Sequence, residues 1–244
     1  MVRSFYELEQ YIVQIARFDP SKGIFDVLAS YGEFRGLLTQ SFPKVKAPKL
    51  LVCGHGSVDD PDGTIIYDGA VGWIRRNATA FADDICVMRL GPSDQLLNTL
   101  LSKASIVLQL SEVEGFEVKV SEAIHKGKPV IATKAGGIPL QVQDQLNGFF
   151  VDVGDTRLVA HHLLSLWTDA NLYHRMSSYS LQHGSDEVST VGQALNWFYL
   201  CSTLSRCIEL KPNRKWIQDM ARQELGQNYG KADGKLKRSA NEDG

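Results

Sequence analysis

A chain of 244 residues with 26 Lys and Arg against 28 Asp and Glu has a net charge of −2. It therefore has no overall basic field to recruit nucleic acid or an anionic membrane, and any anion site must be local. Its four cysteines, Cys53, Cys86, Cys201 and Cys207, form neither a C-x-x-C pair nor a zinc-ligand spacing, and are read as reduced, buried thiols of a cytosolic protein.

No apolar run approaches the roughly 20 residues of a membrane span. The first residues, MVRSFYELEQ, lack the apolar centre of a signal peptide, so the expected setting is soluble and cytoplasmic. Residues 1–8 read as a linker. Short runs rich in Val, Ile and Leu then recur with helical stretches between them: YIVQIA (11–16), KLLVCG (49–54), ICVMRL (85–90), SIVLQL (105–110), PVIATK (129–134) and GFFVD (148–152). This alternation predicts an α/β domain over 9–185, a doubly wound, Rossmann-like parallel sheet. Helices are expected over 22–40, 93–103, 118–126 and 156–167, with a further pair before Gly184. Two more follow within 186–228, over 187–204 and 212–225. The tail from 229 onward, with GKADGKLKRSANEDG from Gly230, is polar and charged with a single Leu, and reads as disordered.

Ligands of such sheets bind beyond the carboxyl ends of the strands, so the loops there carry the functional reading. After the first strand, RFDPSKG sets Arg17 and Lys22 around a proline turn. Two cations at a strand end suit a phosphate, and they equally describe a solvated basic pair. The turn lacks the G-x-G-x-x-G of a dinucleotide site, which argues against a nicotinamide oxidoreductase. GHGSVDDPDG, after the second strand, has neither the alternating ligands nor the closing Glu of a calcium loop. It reads as a polar turn, and no metal is assigned.

The fourth strand leads into QLSEVEGFEVKVSEA, with Glu114 in the loop and Glu122 about one turn into a helix. Gly115 permits close approach, and the amides of Gly115 and Phe116 can face an anion or a sugar hydroxyl. Paired carboxylates around a glycine suit a polyol; the alternative is a helix-end charge and a surface residue. Lys119 opposes the dipole of that helix at a cost of about 0.3–1 kcal/mol. It reads either as a third cation of a phosphate site or as a surface lysine paired with Glu122. Gly136 and Gly137, after the fifth strand, allow another tight approach before Pro139, and a simple turn accounts for them equally well. Neither His55 nor His125 has a visible catalytic partner, and no Ser-His-Asp or Cys-His arrangement can be argued.

In their order and spacing, ARFDPSKG, LGPSDQLLNTLLSKASIVLQLS, EGFEVKVSEA, GKPVIA and GGIP resemble the C-terminal, donor-binding domain of retaining glycosyltransferases with the two-domain GT-B fold. The resemblance covers about residues 9–200, and the Glu-x7-Glu signature of that family falls on Glu114 and Glu122. Within the family, YIVQIARFDPSKG, GHGSVDDPDG, RLGPSDQ, EGFEVKVSEAIHKGKPVIA and VSTVGQALNW resemble the fungal-type trehalose phosphorylases. The resemblance implies reversible phosphorolysis of trehalose to α-glucose 1-phosphate and glucose, with no cofactor. It assigns Arg17 and Lys22 to phosphate, Glu114 to glucosyl hydroxyls, and the amides of Gly115 and Phe116 to the sugar. Lys119, Glu122, Gly136 and Gly137 complete the expected substrate contacts.

Two departures from the broader family stand out. Glu117 replaces the Gly of E-G-F-G, and Lys119 replaces a Pro. Glu122, a ribose ligand in nucleotide-sugar enzymes, has no ribose to hold if the donor is a simple sugar phosphate. A UDP- or ADP-glucose-dependent transferase and a sugar-phosphate-binding module without turnover are the alternatives. The resemblance also implies an N-terminal GT-B domain as partner, expected to lie outside these 244 residues. The isolated chain is accordingly expected to be inactive, with an exposed apolar patch that includes Leu195, Trp197, Phe198 and Leu200.

Overall fold

The computed structural model describes residues 10–54, 61–211, 213–229 and 234–239. In chain order its elements are β1 (Tyr11–Ile15), α1 (Ile24–Ser41), β2 (Lys49–Gly54), α2 (Pro61–Asn77), β3 (Ile85–Arg89), α3 (Asp94–Lys103), β4 (Ile106–Gln109), α4 (Val118–His125), β5 (Val130–Thr133), α5 (Ile138–Gln141), β6 (Gly148–Val151), α6 (Thr156–Thr168), α7 (Ala170–His183), α8 (Thr190–Ser205) and α9 (Ile217–Glu224). The six strands are parallel and lie in the order β3-β2-β1-β4-β5-β6. This is the doubly wound, Rossmann-like α/β arrangement expected from the sequence, and each strand ends within one residue of its expected bounds.

Strands covered on both faces need apolar residues at successive positions, and alternate side chains then go to opposite sides. In β1, Ile12 packs with Leu50, Ile106 and the helix residues Leu28, Tyr31 and Leu163. Its neighbour Val13 joins Leu51, Val107, Val120 and Ile124 on the other side. From β1 the chain winds outward to β2 and β3, then returns to place β4 against the free side of β1. The loops leaving β1 and β4 therefore diverge at the switch in strand order, where a crevice forms.

Four expectations need correction. Helix α2 begins inside the stretch read as a polar turn, and Ile66, Tyr67, Trp73 and Ile74 pack it against the core. Positions 55–60 of that stretch, with His55, Gly56, Asp59 and Asp60, lie outside the described residues, as do residues 1–8 of the expected linker. One long helix, α7, takes the place of the pair expected before Gly184. Among the cysteines only Cys53 is buried, and burial, with Cys86 adding, pushes its thiol up to about 12. Cys86 is on edge strand β3, while Cys201 and Cys207 lie on α8 and just beyond it, and all three are exposed.

The last correction concerns the tail. Residues 234–239 are packed: Gly234 bridges to Ser185, Leu236 is buried, and the amide of Lys237 donates to Leu140 O at 3.0 Å. Arg238 donates to Glu187 at 2.7 and 2.8 Å and to Asp219 at 2.9 and 2.5 Å. Its guanidinium also lies over the rings of Trp216 and Tyr229. A charged segment can order itself in this way where one planar cation bridges two carboxylates across aromatic faces. On α8, Trp197 and Phe198 are exposed while Leu195 and Leu200 are half-buried. No helix among the described residues is long and apolar enough to cross a membrane.

Candidate functional site

The crevice between β1 and β4 is built from polar residues set into otherwise apolar strands. Gln14, on β1, donates through Nε2 to Lys22 O at 2.7 Å, and its Oε1 accepts from the amide of Leu110 at 3.0 Å. One buried amide thus ties the turn after β1 to the end of β4. Gly23 completes the join: it holds φ +58°, and a side chain there would overlap the carbonyl of Leu110. The amide of Glu112 donates to Ser21 O at 2.8 Å. These bonds bring Lys22 up against the loop after β4.

Lys22 forms an ion pair with Oε1 of Glu114, and Oε2 of Glu117 lies 4.0 Å from the same Nζ. The three side chains are 10%, 6% and 14% exposed. Ser111 Oγ donates to Glu114 at 2.9 Å, and Gln109 Nε2 donates to Glu117 at 3.2 Å. Burial alone would raise the Glu114 carboxyl, but hydrogen bonds from Lys22, Glu117 and Ser111 outweigh it and hold the group below its ordinary value. The proton preference falls on Glu117, which burial and then the neighbouring Glu114 push up to about 7. One cation between two carboxylates leaves the second carboxylate poised to take a proton.

The loop after β5 buttresses the loop after β4. Gly137 donates its amide to Gly115 O at 2.6 Å. Gly136 holds φ +53°, and a Cβ there would overlap the carbonyl oxygens of Glu114 and Gly115. Gln141, at the end of α5, donates to the carbonyl of Phe116 and accepts from Ser121 Oγ at 2.6 Å. Thr133 donates to the carbonyl of Ser111. These contacts use the carbonyls of Gly115 and Phe116; no hydrogen bond among the described residues uses their amides. The space beside Gly115 is open, with no atom within 4 Å of a Cβ built on it.

The expected site residues thus divide into groups. Lys22, Glu114, Gly115, Phe116, Gly136 and Gly137 come together in one bonded unit. Arg17 stands at its edge, 60% exposed and 4.0 Å from Asp19. The hydroxyl and amide of Ser21 hold the Asp19 carboxyl below its ordinary range, with the charges of Arg17 and Lys22 adding. Lys119 donates to Glu122 at 2.8 Å, and the two form a half-exposed pair along α4. Glu117 was noted in the sequence only as a departure from the family pattern. Gln14, Gln109 and Gln141 were not singled out, although a lone Gln in YIVQI or IVLQ is a polar residue in a strand buried on both faces. That is a signal that could have found the first two. His125 bonds to Ser185 O at 2.8 Å, a structural contact away from the crevice.

The family model described as Glycosyl transferases group 1 matches residues 3–183. The chain belongs to this family. As a group 1 glycosyltransferase it is 52% identical over 230 residues to the trehalose phosphorylase of Grifola frondosa, and 52% identical over 233 residues to that of Pleurotus pulmonarius. Each alignment covers 94% of this chain but only 31% and 32% of the relative, so the chain spans about a third of the length of these curated relatives. It is 34% identical to the trehalose synthase of Pyrococcus horikoshii over 57% of its own length and 31% of that protein. Among solved structures, sucrose-phosphate synthase from Thermosynechococcus elongatus superimposes with a TM-score of 0.65 at 19% identity, over 80% of this chain and 46% of that one. HepE from Anabaena, in complex with UDP-glucose, gives 0.64 at 20% identity, over 82% and 49%. At these identities the structures establish the fold, which is that of a GT-B glycosyltransferase domain.

Proposed function

We propose that this chain supplies the donor and phosphate half of an enzyme of trehalose metabolism, which cleaves trehalose reversibly with phosphate to α-glucose 1-phosphate and glucose. The observation that carries the proposal is the buried Lys22–Glu114 pair at the switch in strand order. A fixed cation beside a fixed carboxylate matches a sugar phosphate, whose phosphoryl oxygens accept and whose ring hydroxyls donate. The 52% identity to fungal trehalose phosphorylases over nearly the whole chain supports trehalose as the sugar.

In this mechanism Lys22 and Arg17 stabilise the attacking or departing phosphate. Glu114 accepts from a glucosyl hydroxyl, and the amides of Gly115 and Phe116 orient the ring while charge develops at the anomeric carbon. Among the site residues no side chain is assigned as a nucleophile, so retention would proceed on one face of the sugar. The acceptor glucose would bind to an N-terminal GT-B domain, with no nucleic acid or membrane involved.

Phosphate release from glucose 1-phosphate plus glucose, measured with and without an added N-terminal domain from a fungal relative, tests this. Release is expected only in the mixture. A second reading, a nucleotide-sugar donor, draws on the solved HepE complex with UDP-glucose. Calorimetric titration with phosphate, glucose 1-phosphate and UDP-glucose separates the two, and binding of UDP-glucose alone would overturn the phosphorylase reading.

A further inference from the structure

Glu117 has no part in the mechanism above, yet it has the most constrained backbone of the site. It holds φ +60° and ψ 77°, a left-handed conformation that is uncommon for any residue but glycine and concentrates at functional sites. Its side chain is turned inward and committed on three sides. Oε1 accepts from the first-turn amide of Lys119 at 3.2 Å, Oε2 accepts from Gln109 at 3.2 Å, and Oε2 lies 4.0 Å from Nζ of Lys22. Glu114 is its other charged neighbour. The carboxylate thus stands between a buried cation and the first turn of α4, two features that each attract anions. An anion belonging to the protein already occupies that place.

We propose that Glu117 determines the specificity of the site for a monophosphate over a diphosphate, its carboxylate filling the position beside Lys22 that a second phosphoryl group would take; this rests on the phosphate reading of Lys22. The Lys22 ammonium has three donors. Glu114 engages one, and Glu117 closes off a second direction, which leaves room for a single phosphoryl group. Inorganic phosphate and glucose 1-phosphate carry one such group. A diphosphate would press its second group against Glu117, with Glu114 close behind, and like charges brought together at a binding surface select strongly against the wrong ligand. Steric occupation persists even when Glu117 is protonated.

Calorimetric titration of the chain, of Glu117→Gly and of Glu117→Gln with inorganic phosphate, inorganic pyrophosphate and UDP tests this. Glycine suits the left-handed backbone, whereas glutamine keeps the shape and the cap on Lys119 but removes the charge. The unsubstituted chain is expected to prefer phosphate. Glu117→Gly should bind pyrophosphate and UDP at least about tenfold more tightly while phosphate affinity moves by less than about threefold, with Glu117→Gln between. If the glycine variant loses cooperative unfolding, the glutamine variant decides. Parallel changes for all three ligands, or no gain for the diphosphates, would overturn the proposal while leaving the phosphate reading intact. An unsubstituted chain that binds UDP and not phosphate would overturn both.

Discussion

Lys22 and Glu114, 92 residues apart in sequence, form a buried ion pair that joins the turn after β1 to the loop after β4. Removing one member of such a pair strands the other, at a cost of about 3 kcal/mol or more. The two removals are not equivalent here, because Glu117 stands 4.0 Å from the same ammonium. Lys22→Met leaves two carboxylates with no cation between them and is expected to cost about 3–5 kcal/mol. Glu114→Gln leaves Lys22 with Glu117 as substitute partner and should cost less than half of that. Denaturant unfolding of both variants checks the asymmetry; equal losses would show that Glu117 does not compensate.

Glu117 also gives a pH signature. Its folded value near 7 lies above the ordinary 4.5, so the folded state binds the extra proton. Stability from this group is complete below about pH 4.5 and is lost as pH rises through 7, by up to about 3 kcal/mol. Glu114, held low, acts in the opposite sense: its contribution is present above its ordinary value and is lost as pH falls through its lowered one. Glu117→Gln should therefore abolish a fall in stability between pH 5 and 8 and leave the acid limb in place. Denaturant midpoints across that range measure it, and parallel curves for the two proteins would refute the shift.

The strands were legible because a sheet covered on both faces requires runs such as KLLVCG and SIVLQL, which few other structures tolerate. Helix α2 was not, since PDGTIIYDGAVGWIRRN contains three glycines and opens on turn residues. Its helical form depends on Tyr67, Trp73 and Ile74 reaching a core that local preference does not reveal. The site was half legible. Spacing singled out Glu114 and Glu122, with seven residues between them, whereas the folded loop sets Glu117 beside Glu114 and leaves Glu122 with Lys119. A glutamate in the left-handed region cannot be inferred from its letter, because that conformation is unfavourable in isolation and persists only where surrounding bonds impose it. Arg238 escaped for a similar reason: a charged tail looks solvated until Glu187 and Asp219 are seen to face it.

Gly136 and Gly115 offer a contrast between packing and function. Gly136→Ala forces a side chain into the carbonyls of Glu114 and Gly115 at a positive φ. It should destabilise the fold by about 1–3 kcal/mol and displace the loop that carries Glu114. Gly115→Ala meets open space, so its thermal midpoint should match that of the unsubstituted chain. If the open space receives the sugar, glucose 1-phosphate affinity falls in both variants, and only Gly136→Ala unfolds early. Melting curves paired with glucose 1-phosphate titration distinguish them.

The cations around the crevice should contribute unequally to phosphate binding. Arg17 is 60% exposed with its carboxylate neighbour at 4.0 Å, so its fork can turn to an anion at little cost. Lys119 is engaged by Glu122 at 2.8 Å and would have to break that bond first. Arg17→Ala is expected to weaken phosphate binding by about tenfold, against less than about threefold for Lys119→Ala. Titration with inorganic phosphate at low salt reads both. A larger loss at Lys119 would bring that residue into the phosphate site and demote the Glu122 pairing to an unliganded arrangement.

Helix α8 shows a different kind of unsatisfied surface. Trp197 and Phe198 are 66% and 75% exposed, and Val191 and Leu204, seven residues before Phe198 and seven after Trp197, extend them into a stripe along the helix. Side chains at that spacing share a helix face, and a continuous apolar stripe of this length binds hydrophobic probes. The chain should therefore enhance the fluorescence of a hydrophobic dye while still fully folded. Trp197→Gln with Phe198→Gln should remove most of that signal and shift the melting temperature by no more than about 2 °C, because exposed side chains contribute little to folding stability. Dye titration below the melting transition checks it. A signal unchanged by the double substitution would move the dye site elsewhere on the molecule, and a large drop in melting temperature would mean that the two aromatics are packed rather than bare.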